Sequence, residues 1–353
     1  LRFGARPRAR CAALFALAAL AGSLAGCGRP SSGDGVPAHQ SLASSSDTRP
    51  FLEKVPDAPF NTLYGGVRHV VFSYQVDDVP LTLDYREQVF ADGQGHFSIE
   101  ALDVAQPPMT AQALDLFKLL QMHREGFLYR LRDFRIRDFA LFLGNYSVAD
   151  LGPPVTVCGR TCAWLDVRRQ SDAQEYFHVA VDSQTGLILR CEEYAIAGQL
   201  ESRVEFTEFT LTPNLANVEF YPDDLVAQPL DLGADTLPQI GFVVHAPSLV
   251  PSAFQLEKSE KVDDGTQPWA RLTYGDGAEQ VFFLYSVDPP PPASGEHHAS
   301  NTGHGSDPAK HSVSIFHFGP WIVAQGRIES KRLIAVGKTD ESALLHMIQS
   351  ALH

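Results

Sequence analysis

Four segments in succession, Cys162–Arg168, Tyr176–Asp182, Leu187–Tyr194 and Leu200–Leu211, alternate or nearly alternate apolar with polar residues. A period of two belongs to a strand with one buried face, so the run reads as an antiparallel meander. Between the second and third segments lies Asp182-Ser183-Gln184-Thr185-Gly186, where the glycine can take the positive φ that closes such a loop. A meander of this length has to curl around an apolar interior, because a lone sheet would leave its buried face in water.

Upstream, Val67–Gln75 and Leu81–Phe90 are rich in β-branched and aromatic residues and are separated by Asp77, Asp78 and Pro80. The turn Asp92-Gly93-Gln94-Gly95 then leads into a strand at Phe97–Leu102. Two helical stretches interrupt this pattern. Thr110 caps the first, whose apolar face carries Ala113, Phe117 and Leu120; the second, Phe127–Leu143, is apolar enough to pack inside a curved sheet. Pro213, Pro222, Pro229 and Pro238, among clustered acids, mark a connection over 213–240 that separates a domain at 51–212 from one at 241–353. The second block predicts strands at Phe254–Lys258, Ala270–Tyr274, Val281–Ser286, Ser312–Phe318, Trp321–Ile328 and Lys331–Val336. A terminal helix follows, capped by Thr339 and Asp340, with Leu344, Met347, Ile348 and Ala351 at i, i+3, i+4 and i+7. The expected class is mainly β (α+β): a curved first sheet with inserted helices, and a smaller antiparallel sheet covered by one helix.

Residues 1–26 look like a leader. Arg2, Arg6, Arg8 and Arg10 precede an apolar stretch from Cys11 to Leu24, too short to span a membrane comfortably. Leu24-Ala25-Gly26-Cys27 then resembles the lipobox of bacterial lipoproteins, which implies cleavage before Cys27 and acylation of its thiol. Each buried CH₂ of an acyl chain contributes about 0.8 kcal/mol, so two or three chains hold a domain of this size in a bilayer. The Ser-, Gly- and Pro-rich stretch 27–50 reads as a flexible tether. Gly28 after the anchor suits sorting to the outer membrane, so the expected location is the cell envelope, facing the periplasm. With the four leader arginines gone, 24 of the 28 Lys and Arg remain against 42 Asp and Glu, a formal charge of about −18 that argues against nucleic acid and anionic lipid as partners.

Several stretches together resemble the LolA/LolB/RseB group of periplasmic proteins. They are Asn145-Tyr146; Val157, Gly159, Arg160 and Cys162; Val181-Asp182 with Thr185-Gly186-Leu187; and Glu205-Phe206-Thr207. The second block, with Leu272-Thr273-Tyr274-Gly275-Asp276-Gly277 before an apolar strand and with its terminal strand and helix, resembles the C-terminal domain of RseB-like (MucB-like) proteins. The resemblance implies a curved antiparallel half-barrel sheet plugged by helices around a cleft for an acyl chain or other hydrophobic ligand. It also implies a second domain that helps bind an anti-sigma factor or another envelope protein. Among the many rings of the first block, Phe90, Phe97, Phe117, Phe127, Phe142 and Phe206 are the candidates to line such a cleft.

The sequence holds no G-x-S-x-G, no H-E-x-x-H and no phosphate-cradling glycine loop, so neither an enzymatic activity nor a cofactor is expected. His297, His298, His304 and His311 lie in a Pro-, Gly- and Ser-rich insertion at 288–311; disorder is the default there and metal capture the alternative. Cys158 and Cys162 flank the turn at Gly159, and either a local disulfide or two thiols fits that spacing. The leader makes a direct prediction. Cys27→Ala should abolish incorporation of labelled palmitate and move the protein from the membrane to the soluble fraction; unchanged labelling would refute the anchor.

Overall fold

The computed structural model describes residues 52–76, 79–106, 133–170, 176–195, 198–220, 227–263, 267–288, 311–318, 321–328 and 330–351. They form two compact units divided at positions 222–223. None of the described helices is long and apolar enough to cross a membrane. The first unit opens with a short helical turn at Leu52–Lys54 and α1 (Ala58–Asn61). Three strands follow, β1 (Leu63–Val76), β2 (Val79–Asp92) and β3 (Phe97–Gln106), then α2 (Phe139–Asn145). The remaining strands are β4 (Tyr146–Asp150), β5 (Val155–Val157), β6 (Arg160–Arg169), β7 (Tyr176–Asp182), β8 (Ile188–Tyr194) and β9 (Leu200–Thr210).

These nine strands make one antiparallel sheet in the order β3-β2-β1-β9-β8-β7-β6-β4, with β5 also paired to β6. The expected half-barrel is therefore corrected: the sheet is an open ladder with β3 and β4 at its two ends, neither closed nor curled upon itself. The physical reason lies in the connectivity. The first and last strands, β1 and β9, pair in the middle, so two hairpin series spread outward from a central seam and their far ends never meet. Alternation in sequence sets which face is buried; it does not encode the stagger that curvature and closure require.

The seam carries a β-bulge. Val67 faces Glu208 and Arg68 faces Phe206, which leaves Thr207 as an extra residue on β9. The Thr207 hydroxyl donates to the Val67 carbonyl at 3.2 Å. The extra residue shifts the alternation, so Phe206 and Phe209, three apart, both reach Tyr64, with ring centroids at 6.2 and 6.0 Å. Room for the bulge comes from Gly66, where a Cβ would stand 2.0 Å from the Glu208 carbonyl oxygen.

At the β7–β8 turn Gly186 does take a positive φ, 81°. Asp182, which is buried, accepts from Arg160 at 2.7 Å and from the Thr185 backbone N–H at 3.2 Å. Burial alone would raise its carboxyl, but the bonds from Arg160 and Thr185 outweigh it and hold the group below the ordinary carboxylate value. Its contribution to stability is thus present above that ordinary value and is lost as pH falls through the depressed one. Farther along the same strands, Tyr176 stacks on Tyr194 at 4.9 Å, and Arg190 lies 5.1 Å over Trp164. The helix expected at Phe127–Leu143 is shorter in its described part. Residues 133–138 are not helical, and α2 starts only after Asp138, whose side chain accepts from the Leu141 N–H at 2.9 Å. Residues 127–132, and the helix expected after Thr110, lie outside the described residues.

The second unit has β10 (Ala227–Pro229), α3 (Leu237–Ile240), β11 (Gln255–Asp263), β12 (Pro268–Gly275), β13 (Gln280–Val287), β14 (His311–Phe318), β15 (Trp321–Ile328), β16 (Lys331–Gly337) and α4 (Glu341–Ser350). Its sheet is also open and antiparallel, in the order β10-β11-β12-β13-β16-β15-β14. α4 covers one face and buries Leu344, Met347, Ile348 and the following Ala351, the residues the 3.6 period selected. Asp340 holds the N-cap position without a side-chain cap bond; its backbone carbonyl accepts from Ala343 and Leu344 at 3.0 and 3.2 Å. Because Met347 is wholly buried, Met347→Ala should cost about 2–5 kcal/mol, read as a lower urea midpoint for the second unit. A midpoint equal to wild type would show that the helix contributes little to the core.

Candidate functional site

The inward face of the first sheet follows from strand parity. β1 presents Tyr64, Arg68, Val70 and Phe72, and β2 presents Tyr85, Glu87, Val89 and Ala91, all of them buried. β9 adds Ser202, Val204 and Phe206, and β8 with the residue before it adds Leu187, Leu189, Cys191 and Glu193. Against this face lies the non-helical stretch at 133–135. Between them is a crevice of about 60 Å³. Its walls are apolar at Tyr64, Phe72, Phe134, Leu189, Val204 and Phe206, and polar at Arg68, Asp133, Glu193 and Ser202. That volume is about two waters' worth, whereas pockets that hold small molecules run to roughly 300 Å³ and more.

Arg68 is the charge around which the polar side is organised. Its guanidinium, 4% exposed, pairs with Glu87 on the neighbouring strand and with Asp133 at 2.7 Å. Its charged end also lies 5.8 Å from the Phe206 ring centroid. Taking such charges out of water is costly, and two carboxylates about one guanidinium offset that cost. Nearby, Ser202 donates to Glu193 at 2.8 Å. The segment opposite is held at three points: Asp133 on Arg68, Phe134 against Phe177 at 4.5 Å and Phe142 at 6.5 Å, and Arg135 4.3 Å over Phe60. Phe134, 5% exposed, is one of the rings that line the crevice.

Of the residues the sequence proposed for a cleft, Phe206 lines the crevice. Phe142 is buried one layer away, stacked on Tyr146 at 5.0 Å and in contact with Phe134. Phe97 is buried in the core beside Phe60, at 5.5 Å. Phe90 lies on the opposite face, over Gly65, where a Cβ would meet its ring at 2.6 Å. Phe117 and Phe127 lie outside the described residues, as do Cys27, His297, His298 and His304. His311 begins β14, and among the described residues no group of three His, Cys, Asp or Glu could hold a metal. Cys158 and Cys162 are not joined. Cys158, at the turn with φ 49°, donates to the Phe206 carbonyl at 3.0 Å, while Cys162 points into the core from the straight strand β6. Burial pushes both thiols up, Cys162 to about 11, so neither is a thiolate at neutral pH and neither is primed as a nucleophile.

Arg68, Glu87 and Asp133 were not among the residues that the sequence proposed for a cleft. A signal for the first two was present: Arg68 falls on the same parity as Tyr64, Val70 and Phe72, and Glu87 on that of Tyr85 and Val89. A charge on the apolar parity of each of two adjacent strands calls for a partner across the rung.

No family model and no curated protein matches the chain. Among solved structures it is similar to MucB in complex with MucA(peri), at 15% identity and a TM-score of 0.46, over 84% of this chain and 95% of that one. It is similar also to the Pseudomonas aeruginosa MucA/MucB complex, at 16% identity and a TM-score of 0.44, over 84% and 95%. The LolA superfamily protein NE2245 from Nitrosomonas europaea matches 49% of this chain and 96% of its own, at 12% identity and a TM-score of 0.19.

If Arg68 is balanced as its geometry indicates, Glu87→Ala should destabilise the first unit by about 3 kcal/mol in urea unfolding, since Asp133 compensates only part of the exposed deficit. Arg86→Ala, which removes a solvent-exposed pair with Asp103, should leave the midpoint in place. Equal effects from the two variants would mean that the buried cluster carries no special weight.

Proposed function

We propose that this is a lipid-anchored protein of the cell envelope that binds a hydrophobic, acyl-bearing ligand in its first unit and docks a protein partner. The amphipathic crevice on the inward sheet face carries this reading. Apolar walls with a few fixed polar groups at one side are the make-up of a site for a molecule with a tail and a polar head. The motif resemblance at Asn145–Leu211 and in the second block points the same way, and suggests an anti-sigma factor or similar envelope protein as the partner and regulation as the role.

At about 60 Å³ the crevice is closed to an acyl chain, so binding requires residues 133–135 to withdraw and Phe134 to give up its place to the ligand. The Arg68–Asp133 contact breaks in that step, while Glu87 remains against Arg68 and keeps the buried charge compensated. The same small volume favours a second reading, a docking lipoprotein whose inner face is filled by its own side chains and which carries no ligand.

Native mass spectrometry with lipid extraction separates the two. On the chain from Ser31 onward, exported without its anchor, the ligand reading expects a stoichiometric adduct bearing acyl chains. It also expects Phe134→Ala, which enlarges the space, to retain at least as much lipid. A clean apo mass that stays unchanged when lipids are offered would leave docking as the function.

A further inference from the structure

Among the described sheet residues that line the crevice, Arg68 is the one cation. Arg135, the other cation on its walls, belongs to the segment opposite and lies over Phe60. The two ends of the Arg68 guanidinium are held differently. Nη2 donates to Glu87, its rung partner on β2, whereas Nη1 donates to Asp133 at 2.7 Å, and Asp133 comes from the irregular segment. When residues 133–135 withdraw, Nη1 loses a charge-assisted bond. The entering ligand has to replace it, because a tail laid over that face keeps water out and a buried donor without an acceptor is costly.

We propose that Asp133 is the chain's own stand-in for a ligand anion, and that Arg68 Nη1 is the subsite for the carboxylate or phosphate of an anionic, acyl-bearing lipid. The proposal rests on the ligand reading above and names the chemistry of the head. Two carboxylates now face one guanidinium, and exchanging Asp133 for a ligand oxyanion keeps that count. A cationic head would set like charges together, and a neutral one returns to Nη1 only a weaker acceptor. Glu193, also on the crevice wall, stands away from this subsite. It lies opposite Ser202, which lies opposite Phe72, four residues along β1 from Arg68 and so about 13 Å away. The tail runs in the other direction, toward Tyr64, Leu187 and Val55, where the lining is apolar. The chain's formal charge of −14 opposes approach to an anionic surface as a whole, but exposed charges beyond about 10 Å are screened and a contact ion is not.

The test uses the exported chain from Ser31 onward, which lacks only the leader and the first residues of the tether, with three ligands that share one palmitoyl chain. They are palmitate, palmitoyl lysophosphatidic acid and monopalmitoylglycerol, the last two differing by the phosphate alone. Competition read by native mass spectrometry should favour the anions over the neutral glyceride by about ten-fold, the scale on which a charge-assisted bond exceeds a neutral one. A preference confined to one anion supports the subsite and tells carboxylate from phosphate. Asp133→Asn, which loosens the segment without touching the subsite, should tighten all three ligands by the same factor and keep the ratio. Arg68→Gln combined with Glu87→Gln, which removes the two sheet charges together, should abolish the preference. Equal binding of all three ligands by the wild-type chain overturns the subsite and leaves the lipid reading standing, whereas no adduct with any of them overturns both. Asp133→Asn that leaves every affinity unchanged, or a preference that persists in the double variant, also overturns the proposal. Should the double variant fail to fold, the wild-type ratio and the response to Asp133→Asn decide.

Discussion

Pairing of β1 with β9 is the constraint on which the rest of the first unit depends. These strands are separated by most of the unit's sequence, so loop closure has to be met before their contacts return anything, and the cost rises slowly with loop length. Once the seam forms, β2 and β3 add on one side and β8, β7, β6 and β4 on the other, each by local steps. The seam also fixes the inner face. It brings Arg68 of β1 beside Phe206 of β9, and the bulge at Thr207 brings Phe206 and Phe209 together on Tyr64.

That inner face combines two kinds of energy that seldom share a small volume. Its rings and aliphatic chains are driven from water in proportion to their area. Arg68, Glu87 and Asp133 gain nothing from burial and are kept there by one another. A cluster of this kind is weak as a source of stability and effective as a discriminator, because a packing that leaves one charge uncompensated is heavily penalised. Asp133 lies on the irregular segment and not on the sheet, so the arginine also reports where that segment is.

Much of the strand pattern was legible beforehand. All six segments expected in the second block overlap strands, and the helix face Leu344, Met347, Ile348 and Ala351 is buried as its spacing required. Those features depend on local periodicity, which a sequence carries directly. The sheet's overall form did not follow, since curvature depends on how distant strands meet and no period records that. The crevice was half legible: Phe206 was among the rings chosen, but Phe90 turned to the other face because of its strand parity, and Phe97 went into the core. Phe134, which lines the crevice, lay in a segment expected to be helical. The capping carboxylate of Asp138 explains why the described helix begins only beyond it.

Gly66 has a consequence of a different kind. Any side chain there would occupy the place of the Glu208 carbonyl, so the position has no neighbouring solution to which a single substitution could carry it. Sequence change around it is freer: the surface pair of Arg86 with Asp103 can be replaced one member at a time with little effect. As descendants of this chain diverge, the seam would serve as a fixed origin from which their alignments could be counted, long after the surface had ceased to be recognisable.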